Sequence, residues 1–341
     1  MARLTALSGL GRKSAAVFLL EIAGKRLLLD MGTGLEAGER PDLSGAGRID
    51  AVLLSHAHGD HIGALDRLDE IGAPPVFASA ETLRQLPPAL RPAQTHALPE
   101  RGCTHVLGVT VETGRAGHAP GGIWMRFETS RGGFLYTGDF STETALLVCD
   151  PFPRAATVLA DASYGDREEA LSDQVAALAD AAEGGAVLPC PADGRGPDMV
   201  AALSARGLEV HACAQVAEEM LRLTGSRPPE ASADTARPGQ IIVASGPNAE
   251  EGLPAALRDR GGFRFVFSGH VPQTSPAHAM IAEGRARWMG WNVHPRRSDV
   301  VALADSTGAT RVLPAFVDLD TAPNLVAALG PRLCRAPSLE V

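Results

Sequence analysis

The residues best suited to chemistry lie in one short stretch, LSHAHGDHIGAL, at positions 54–65. Within six positions it holds four candidate metal ligands, His56, His58, Asp60 and His61. Imidazole and carboxylate groups together suit Zn²⁺. Four ligands on one turn cannot easily all reach a single ion, so the spacing favours two ions, which can bind an attacking hydroxide and a phosphate or acyl oxygen at once. The alternative is a solvated loop that is rich in histidine.

Further ligands are expected at strand ends elsewhere in the first half of the chain. His118 lies between glycines in GRAGHAPGG, just before a predicted strand, and Asp139 follows another predicted strand in FLYTGDFS. Taken singly, each could be an ordinary surface or turn residue. After a complete H-x-H-x-D-H cluster, both become candidates for the same metal centre. Asp30, in LLLDMG, also ends a predicted strand and either supports the site or closes a β-turn.

The predicted secondary structure follows two different patterns along the chain. Up to about residue 155, short β-branched or leucine-rich runs alternate with turn residues, which predicts mostly strands. Beyond it, strands such as AVLPCP and QIIVAS alternate with helical segments such as REEALSDQVAALADAAEG. This alternation predicts a largely parallel sheet covered by helices. With 341 residues, 45% of them apolar, the chain can form one large domain or two closely associated domains.

Composition narrows the class of protein. No stretch approaches ~20 consecutive apolar residues, so no membrane span or membrane partner is predicted, and MARLTALSGLGRKSA lacks the pattern of a signal peptide. The five cysteines are widely spaced and form no CxxC pair, which argues against disulfides or cysteine-ligated zinc and favours the cytoplasm. The formal charge of −9 argues against a long nucleic-acid footprint but allows a local basic patch, such as Arg296 and Arg297 beside His294.

The metal-binding stretches resemble the metallo-β-lactamase fold. The resemblance implies an α/β protein built as an αββα sandwich, with two divalent metal ions, zinc first and manganese as the alternative. One ion would take His56, His58 and His118. The other would take Asp60 and His61, and Asp139 would bridge the two.

Longer stretches resemble one branch of that fold, the β-CASP nucleases, which include ribonuclease J, the pre-mRNA cleavage endonuclease and the Artemis-like DNA nucleases. GHAPGG, LYTGDFS and VLADASYGDRE are similar to three of their motifs, with Asp161 replacing the glutamate of motif A. Similarity continues more loosely through VLPCPADGRGPDMV, IIVASGP and FVFSGHVPQTSP. The resemblance implies a metallo-β-lactamase domain at residues 1–155 and 291–341 and an inserted α/β, β-CASP-like cap domain at 156–290.

The chain also departs from the β-CASP pattern. WNVHPRRSD matches motif B through His294, but TRVLPAFVD has Pro314 and Ala315 where the RNA-processing enzymes carry the motif C histidine. Artemis-like enzymes also lack that histidine. His294 is predicted either to ligate the second metal or to protonate the leaving oxygen; alternatively, the second metal is weakly held. Asp161 is predicted to orient His294 or another imidazole.

The function that the resemblance implies is a metal-dependent phosphodiesterase, a nuclease of RNA or single-stranded DNA. A hydroxide between the two metals would attack phosphorus, and Asp60 would orient it. Two other functions stay open. A hydrolase of a small ester, lactone or nucleotide is favoured by the acidic charge and the altered cap, whereas a catalytically silent scaffold is disfavoured because all six core ligands are retained. The sequence does not decide between RNA and DNA, between endo and exo cleavage, or whether the chain forms a homodimer.

Overall fold

The structure, a computed structural model, describes residues 2–36 and 38–341. It divides into two compact units. The first comprises Met1–Thr142, Val148–Glu168 and His294–Val341, and the second comprises Glu143–Leu147 and Glu169–Val293. The long segment of the second unit, Glu169–Val293, begins later than the predicted cap range of 156–290, because residues 157–161 pair with strands of the first unit. That the units are a catalytic domain and a cap stays a prediction.

The strands follow one another along the chain as β1 (Arg3–Ser8), β2 (Val17–Ile22), β3 (Lys25–Leu29), β4 (Ala51–Leu53), β5 (Val76–Ser79), β6 (Thr95–Leu98), β7 (Gly102–Val106), β8 (Val109–Arg115), β9 (Ile123–Phe127), β10 (Phe134–Tyr136), β11 (Thr157–Asp161), β12 (Ala186–Cys190), β13 (Val210–Ala212), β14 (Ile241–Ser245), β15 (Phe265–Phe267), β16 (Ala286–Trp288), β17 (Arg311–Ala315) and β18 (Ser338–Glu340).

The α-helices are α1 (Gly59–Ile62), α2 (Ala80–Gln85), α3 (Leu171–Ala181), α4 (Arg195–Ala205), α5 (Ala214–Thr224), α6 (Gly252–Arg260), α7 (Pro276–Ala282), α8 (Arg297–Thr307) and α9 (Pro323–Leu329). Short 3₁₀ helices lie at Leu65–Ile71, Pro88–Leu90 and Gly330–Arg332. None of the helices in the described part of the chain has the length and apolarity that a membrane crossing requires.

The first unit is a sandwich of two sheets with helices outside. One sheet has the order β18-β1-β2-β3-β4-β5-β6, and the other has the order β17-β11-β10-β9-β8-β7. Side chains alternate between the two faces of a strand, so Leu27 and Leu29 of β3 face the core between the sheets while Leu28 faces the helical layer outside. On the far side, Leu303 of α8 and Leu325 of α9 pack in the core that covers the second sheet. The αββα sandwich expected from the sequence is confirmed.

The second unit is built on a parallel sheet with the order β13-β14-β12-β15-β16. Helices α3–α7 alternate with these strands, as the sequence predicts. Buried Asp198 of α4 attaches the segment Glu143–Leu147 to this unit, because its Oδ1 accepts hydrogen bonds from the backbone N–H of Ala145 (2.6 Å) and Leu146 (3.2 Å). Its Oδ2 accepts a third from the Trp291 indole (3.2 Å).

Candidate metal centre

The predicted ligands lie in loops that follow strands of the first unit. Strand β4 leads into His56 and His58, and the short helix α1 then carries Asp60 and His61. Strands β3 and β4 are parallel neighbours, so their carboxyl ends meet at one edge of the sheet. This pairing brings Asp30, which directly follows β3, beside the histidine loop.

Gly32 fixes how closely the loop after β3 approaches α1. A Cβ atom on Gly32 would lie 1.7 Å from the carbonyl oxygen of Asp60, which is backbone and cannot swing away. The same contact region is tied by hydrogen bonds from Ala16 N to Asp60 O and from Met31 N to His61 O, each 2.8 Å. The ligand helix is therefore held in place by backbone contacts that only glycine allows.

Replacing Gly32 by alanine is expected to destabilise the fold by about 2–4 kcal/mol, because the added methyl must displace backbone in a packed region. Urea unfolding monitored by circular dichroism measures the change in the free energy of unfolding. Gly59→Ala is the matched control from the same contact region, since a Cβ at Gly59 meets nothing within 4 Å. Equal stability of the two variants would contradict the steric argument.

His56, His58 and His118 converge on one point. The Nδ1 atom of His58 lies 3.1 Å from Nε2 of His56 and 3.0 Å from Nε2 of His118. Nitrogens bound to one tetrahedral zinc at ~2.0–2.1 Å would lie about 3.3 Å apart. The spacing of these three nitrogens therefore fits a shared metal ion. His56 and His118 are buried, so few water molecules can compete for the site.

His61 and Asp139 form the adjoining part of the centre. The Nδ1–H of His61 donates to Oδ2 of Asp30 at 2.7 Å, which leaves Nε2 facing Oδ1 of Asp139 at 3.3 Å. Both facing atoms are buried, and neither has a hydrogen-bond partner in the described chain. A ring nitrogen lone pair opposite a carboxylate is repulsive unless a cation or a proton lies between them. Asp139 also reaches the first group, with its Oδ2 3.7 Å from Nε2 of His118.

Burial and neighbouring charges give these histidines different pKa values. Desolvation lowers the pKa of His58 to about 4 and the pKa of His56 well below its ordinary value, with the neighbouring imidazoles adding to the effect at His56. Both rings are thus neutral at pH 7, which is the form that binds a metal. At His61, burial alone would lower the pKa, but the carboxylates of Asp139 and Asp30 raise it well above its ordinary value.

Zinc binding to the three-histidine group is expected to weaken little between pH 8 and pH 6. Histidines with ordinary pKa values would bind protons across this range, whereas burial lowers the pKa of His58 to about 4 and holds the pKa of His56 well below its ordinary value, so both rings stay neutral. Titration calorimetry in two buffers of different ionisation enthalpy measures the protons released on binding. Release of two protons per zinc at pH 6 would contradict the expectation.

Asp30 is the hydrogen-bonding support of the centre. Its buried carboxylate accepts from the N–H of Ser55 at 2.6 Å, the hydroxyl of Ser55 at 2.7 Å, His61, and the hydroxyl of Tyr136. These donors fix the ring orientation of His61, so the residue supports the site rather than closing a simple turn.

The substitution Asp30→Asn is expected to lower metal affinity about 10–100-fold, the usual cost of losing a partner that orients a metal-ligating histidine. A chelator competition assay measures the affinity. Asp50→Asn is a control of the same chemistry away from the centre, where the carboxylate accepts the N–H of Arg26. An unchanged affinity in Asp30→Asn would contradict the supporting role.

Asp60 lies at the edge of the centre beside a lysine. Its Oδ2 is 4.0 Å from Nε2 of His61 and 3.5 Å from Nζ of Lys13. Burial alone would raise the pKa of Asp60, but Lys13 and His61 hold it below its ordinary value. In the same way, burial would lower the pKa of Lys13, yet the carboxylates of Asp139 and Asp60 raise it. The ammonium and the carboxylates are therefore all charged.

His294 and Asp161 form a pair at the same centre. Strand β11 ends at Asp161, whose Oδ2 accepts from Nδ1 of His294 at 2.8 Å. The other oxygen accepts from the N–H and hydroxyl of Ser163, at 2.9 and 2.6 Å. The His294 ring lies 4.7 Å from the His118 ring, and its Nδ1 is 3.4 Å from Oδ2 of Asp139. The structure thus brings together all eight residues that the sequence predicts for the site.

Several residues of the centre were missed by the sequence reasoning. Tyr164 packs edge-on against the His294 ring at 5.1 Å, and the Arg167 guanidinium lies 4.0 Å from the Tyr164 ring centre. Phe316, directly after β17, packs against His61 at 5.6 Å. Tyr164 and Arg167 belong to the YGDR segment already noted in motif A, so that segment could have identified them. Lys13 and Phe316 had no such signal.

Taken together, the donor set suits divalent cations. His56, His58 and His118 can hold one ion through imidazole nitrogen. A second group consists of His61, Asp139 and the shared His56, and its His61 Nε2 and Asp139 Oδ1 atoms are buried without a hydrogen-bond partner in the described chain. Asp161 and His294 place a proton donor or acceptor beside them. Such a set can polarise an oxygen of a substrate and move a proton to or from it.

Comparison with known proteins agrees with this geometry. The chain is 31% identical to Ribonuclease TTHA0252 of Thermus thermophilus over 180 residues, which cover 45% of this chain and 42% of that protein. It is 28% identical to Transcription termination factor FttA of Cenarchaeum symbiosum over 244 residues, 58% of this chain and 38% of that protein. It is 36% identical to 5' exonuclease Apollo of Gallus gallus over 104 residues, 30% of this chain and 22% of that protein. The chain thus matches less than half the length of each relative.

A solved structure has the same fold. The crystal structure of a protein of unknown function from Enterococcus faecalis superposes with a TM-score of 0.68 over 100% of both chains, at 14% sequence identity. At that identity the likeness bears on the fold alone. Residues 10–181, about half of the 341 residues, match the metallo-beta-lactamase superfamily. They include the histidine loop, His118, Asp139 and Asp161. The chain therefore belongs to the metallo-beta-lactamase superfamily.

Proposed function

We propose that this chain is a metal-dependent phosphodiesterase of the β-CASP type that cleaves RNA or single-stranded DNA. The observation that carries the proposal is the joint presence of the three-histidine group and the Asp161–His294 pair in one centre. A binding site alone would need the first but not the second. The relatives named ribonuclease and exonuclease support a nuclease, and the order of motifs in this chain resembles that of the β-CASP branch.

Bound divalent ions would supply a water of lowered pKa and positive charge next to the phosphoryl oxygens. The protein's own residues do the rest. Asp60 Oδ2 accepts a hydrogen bond from the attacking water and orients it. His294 gives a proton to the leaving oxygen, and Asp161 holds the His294 ring in place through the hydrogen bond to its Nδ1. Asp30 keeps the Nδ1–H of His61 engaged, so that Nε2 faces the centre.

Zinc is the proposed ion, because imidazole nitrogen dominates the best-formed group and suits zinc well; manganese is the alternative. A binuclear centre would use His61, Asp60 and Asp139 for the second ion. We also propose a reducing, cytoplasmic location, supported by the five cysteines, which are all free thiols. The second unit, with its parallel sheet and helices, is proposed to be a β-CASP-like cap.

A substrate panel tests the proposal. Metal-free protein and protein reconstituted with Zn²⁺ or Mn²⁺ are each incubated with end-labelled single-stranded RNA, single-stranded DNA, and a set of small esters, lactones and nucleotides. The proposal predicts cleavage of at least one polymer only after reconstitution, and the product lengths distinguish endo from exo cleavage. Hydrolysis of a small substrate with both polymers left intact would replace the nuclease proposal, and the formal charge of −9 makes that the outcome to check first.

A further inference from the structure

The two halves of the metal centre differ in one respect: the Asp60 side already contains a positive charge. Lys13 lies in the loop between β1 and β2, and its Nζ is 3.5 Å from Oδ2 of Asp60 and 3.8 Å from Oδ2 of Asp139. Its ammonium also donates to the hydroxyl of Ser163 at 3.0 Å. Lys13 thus forms ion pairs with both carboxylates through which a second metal ion would be bound.

The aromatic ring next to Lys13, that of Phe316, provides no additional ligand for a second metal ion. Phe316 is fully buried beside the same group, with its ring 4.9 Å from Nζ of Lys13 and 5.6 Å from the ring of His61. An aromatic hydrocarbon ring stabilises an ammonium through a cation–π contact but cannot coordinate zinc. The residues around Asp60 therefore complete a site for an ammonium better than a site for a metal ion.

Coulomb repulsion by the ammonium weakens the binding of a second divalent ion close to it. Both would share Asp60 and Asp139, so they would lie within about 4 Å of each other, where like charges repel strongly in a partly buried site. The three-histidine group is less affected, because its ligands are imidazoles, whereas Lys13 forms ion pairs with the carboxylates of Asp60 and Asp139. His61 Nε2 and Asp139 Oδ1 remain available, so a second ion keeps some of its donors.

We propose that Lys13 acts as a built-in cation of the second metal position. It makes the two positions unequal: the chain binds one ion tightly at His56, His58 and His118, and a second ion only weakly. The inference rests on the proposed metal-dependent function and specifies its metal stoichiometry. In this arrangement the Lys13 ammonium supplies the positive charge beside Asp60 that a second ion would otherwise supply.

Metal content tests the inference without any measurement of activity. Metal-free protein is saturated with Zn²⁺ and passed through a desalting column, and the zinc retained per chain is measured by inductively coupled plasma mass spectrometry. A chelator titration measures the affinity for the more weakly bound ion. The wild-type chain is expected to retain one zinc. Lys13→Met and Lys13→Gln, which remove the charge at similar length, are expected to retain two, with the second ion bound at least tenfold more tightly than in wild type.

Two controls isolate the effect of charge. Lys13→Arg keeps the positive charge and is expected to retain one zinc. Lys25→Met removes the only other lysine of the chain, which lies on β3 away from the centre, and is also expected to retain one. Circular dichroism verifies that each variant is folded.

The possible outcomes distinguish a failure of the role of Lys13 from a failure of the proposed metal-dependent function. Two tightly bound ions in the wild-type chain, or one ion in folded Lys13→Met and Lys13→Gln, would overturn the role of Lys13 and leave the proposed function standing. Because the wild-type measurement alone can overturn the inference, it does not depend on the variants folding. No bound zinc in the wild-type chain would overturn both the inference and the metal-dependent function.

Discussion

Replacing His118 by alanine is expected to abolish tight zinc binding and to reduce phosphodiester cleavage by a factor on the order of 10³ or more. His118 supplies one of the three nitrogens of the first metal position, where Nδ1 of His58 lies 3.1 Å from Nε2 of His56 and 3.0 Å from Nε2 of His118. Two neutral imidazoles alone bind zinc weakly, and losing the ion removes several kcal/mol of transition-state stabilisation, which corresponds to at least three factors of ten in rate. Zinc content and the single-turnover rate are measured on the same preparation.

The control for this prediction is His105→Ala. His105 is an exposed residue of β7 whose Nδ1 lies 3.2 Å from the hydroxyl of Thr110, and it belongs to none of the candidate metal groups among the described residues. Its removal is expected to leave both zinc content and rate unchanged. Retention of tight zinc by His118→Ala would contradict the assignment of the three-histidine group.

Removing the Asp161–His294 pair is expected to reduce cleavage while leaving the tightly bound zinc in place. His294→Ala should lower the rate of cleavage of a natural phosphodiester about 10²–10⁴-fold, the range for loss of a positioned proton donor. Asp161→Asn should give a smaller loss, because His294 remains but loses the carboxylate that orients it. The double variant should be little worse than His294→Ala, since residues that act as a unit are not additive.

Substrates with different leaving groups distinguish between the two possible roles of His294, general acid and metal ligand. A p-nitrophenyl phosphodiester needs little protonation of its leaving oxygen, so a variant that lacks only the acid should recover most of its rate on that substrate. His278→Ala, on α7 of the second unit, is the histidine control. Loss of the tight zinc in His294→Ala, or an equal loss of rate on both substrates, would show that His294 is a ligand, as its place in a group with His118 and Asp139 allows.

The sequence predicts the centre well wherever a motif carries it. The H-x-H-x-D-H loop brings four residues together through local geometry alone. Asp139 follows the end of β10 and Asp161 lies at the end of β11, so these two strand ends bring residues distant in the sequence to the same edge. The pair of Asp161 and His294, which are 133 positions apart, was predicted because both lie in recognisable motifs. Their contact in the structure agrees with the predicted orientation of His294 by Asp161.

What the sequence does not predict depends on contacts between segments without a pattern. Lys13 lies in a loop rich in glycine and serine, where a lysine is usually solvated, and only the fold places it against Asp60 and Asp139. Helix α3 begins at Leu171, later than the helical spacing suggests, and the Leu171 N–H at its start donates to the carboxylate of Glu143, 28 residues earlier. The boundaries of the second unit likewise depend on which strands pair with each other, and no local sequence pattern indicates that pairing.

The most direct test of the central claim is a titration of Zn²⁺ into metal-free protein with the cleavage rate of a labelled single-stranded oligonucleotide as the readout. The claim is that an ion at His56, His58 and His118 makes this chain a phosphodiesterase. It predicts no cleavage by the metal-free chain and a rate that rises with the first equivalent of zinc, in parallel with the zinc bound. Cleavage by the metal-free chain at the same rate, or no cleavage of any labelled RNA or DNA by the zinc-loaded chain, would contradict it.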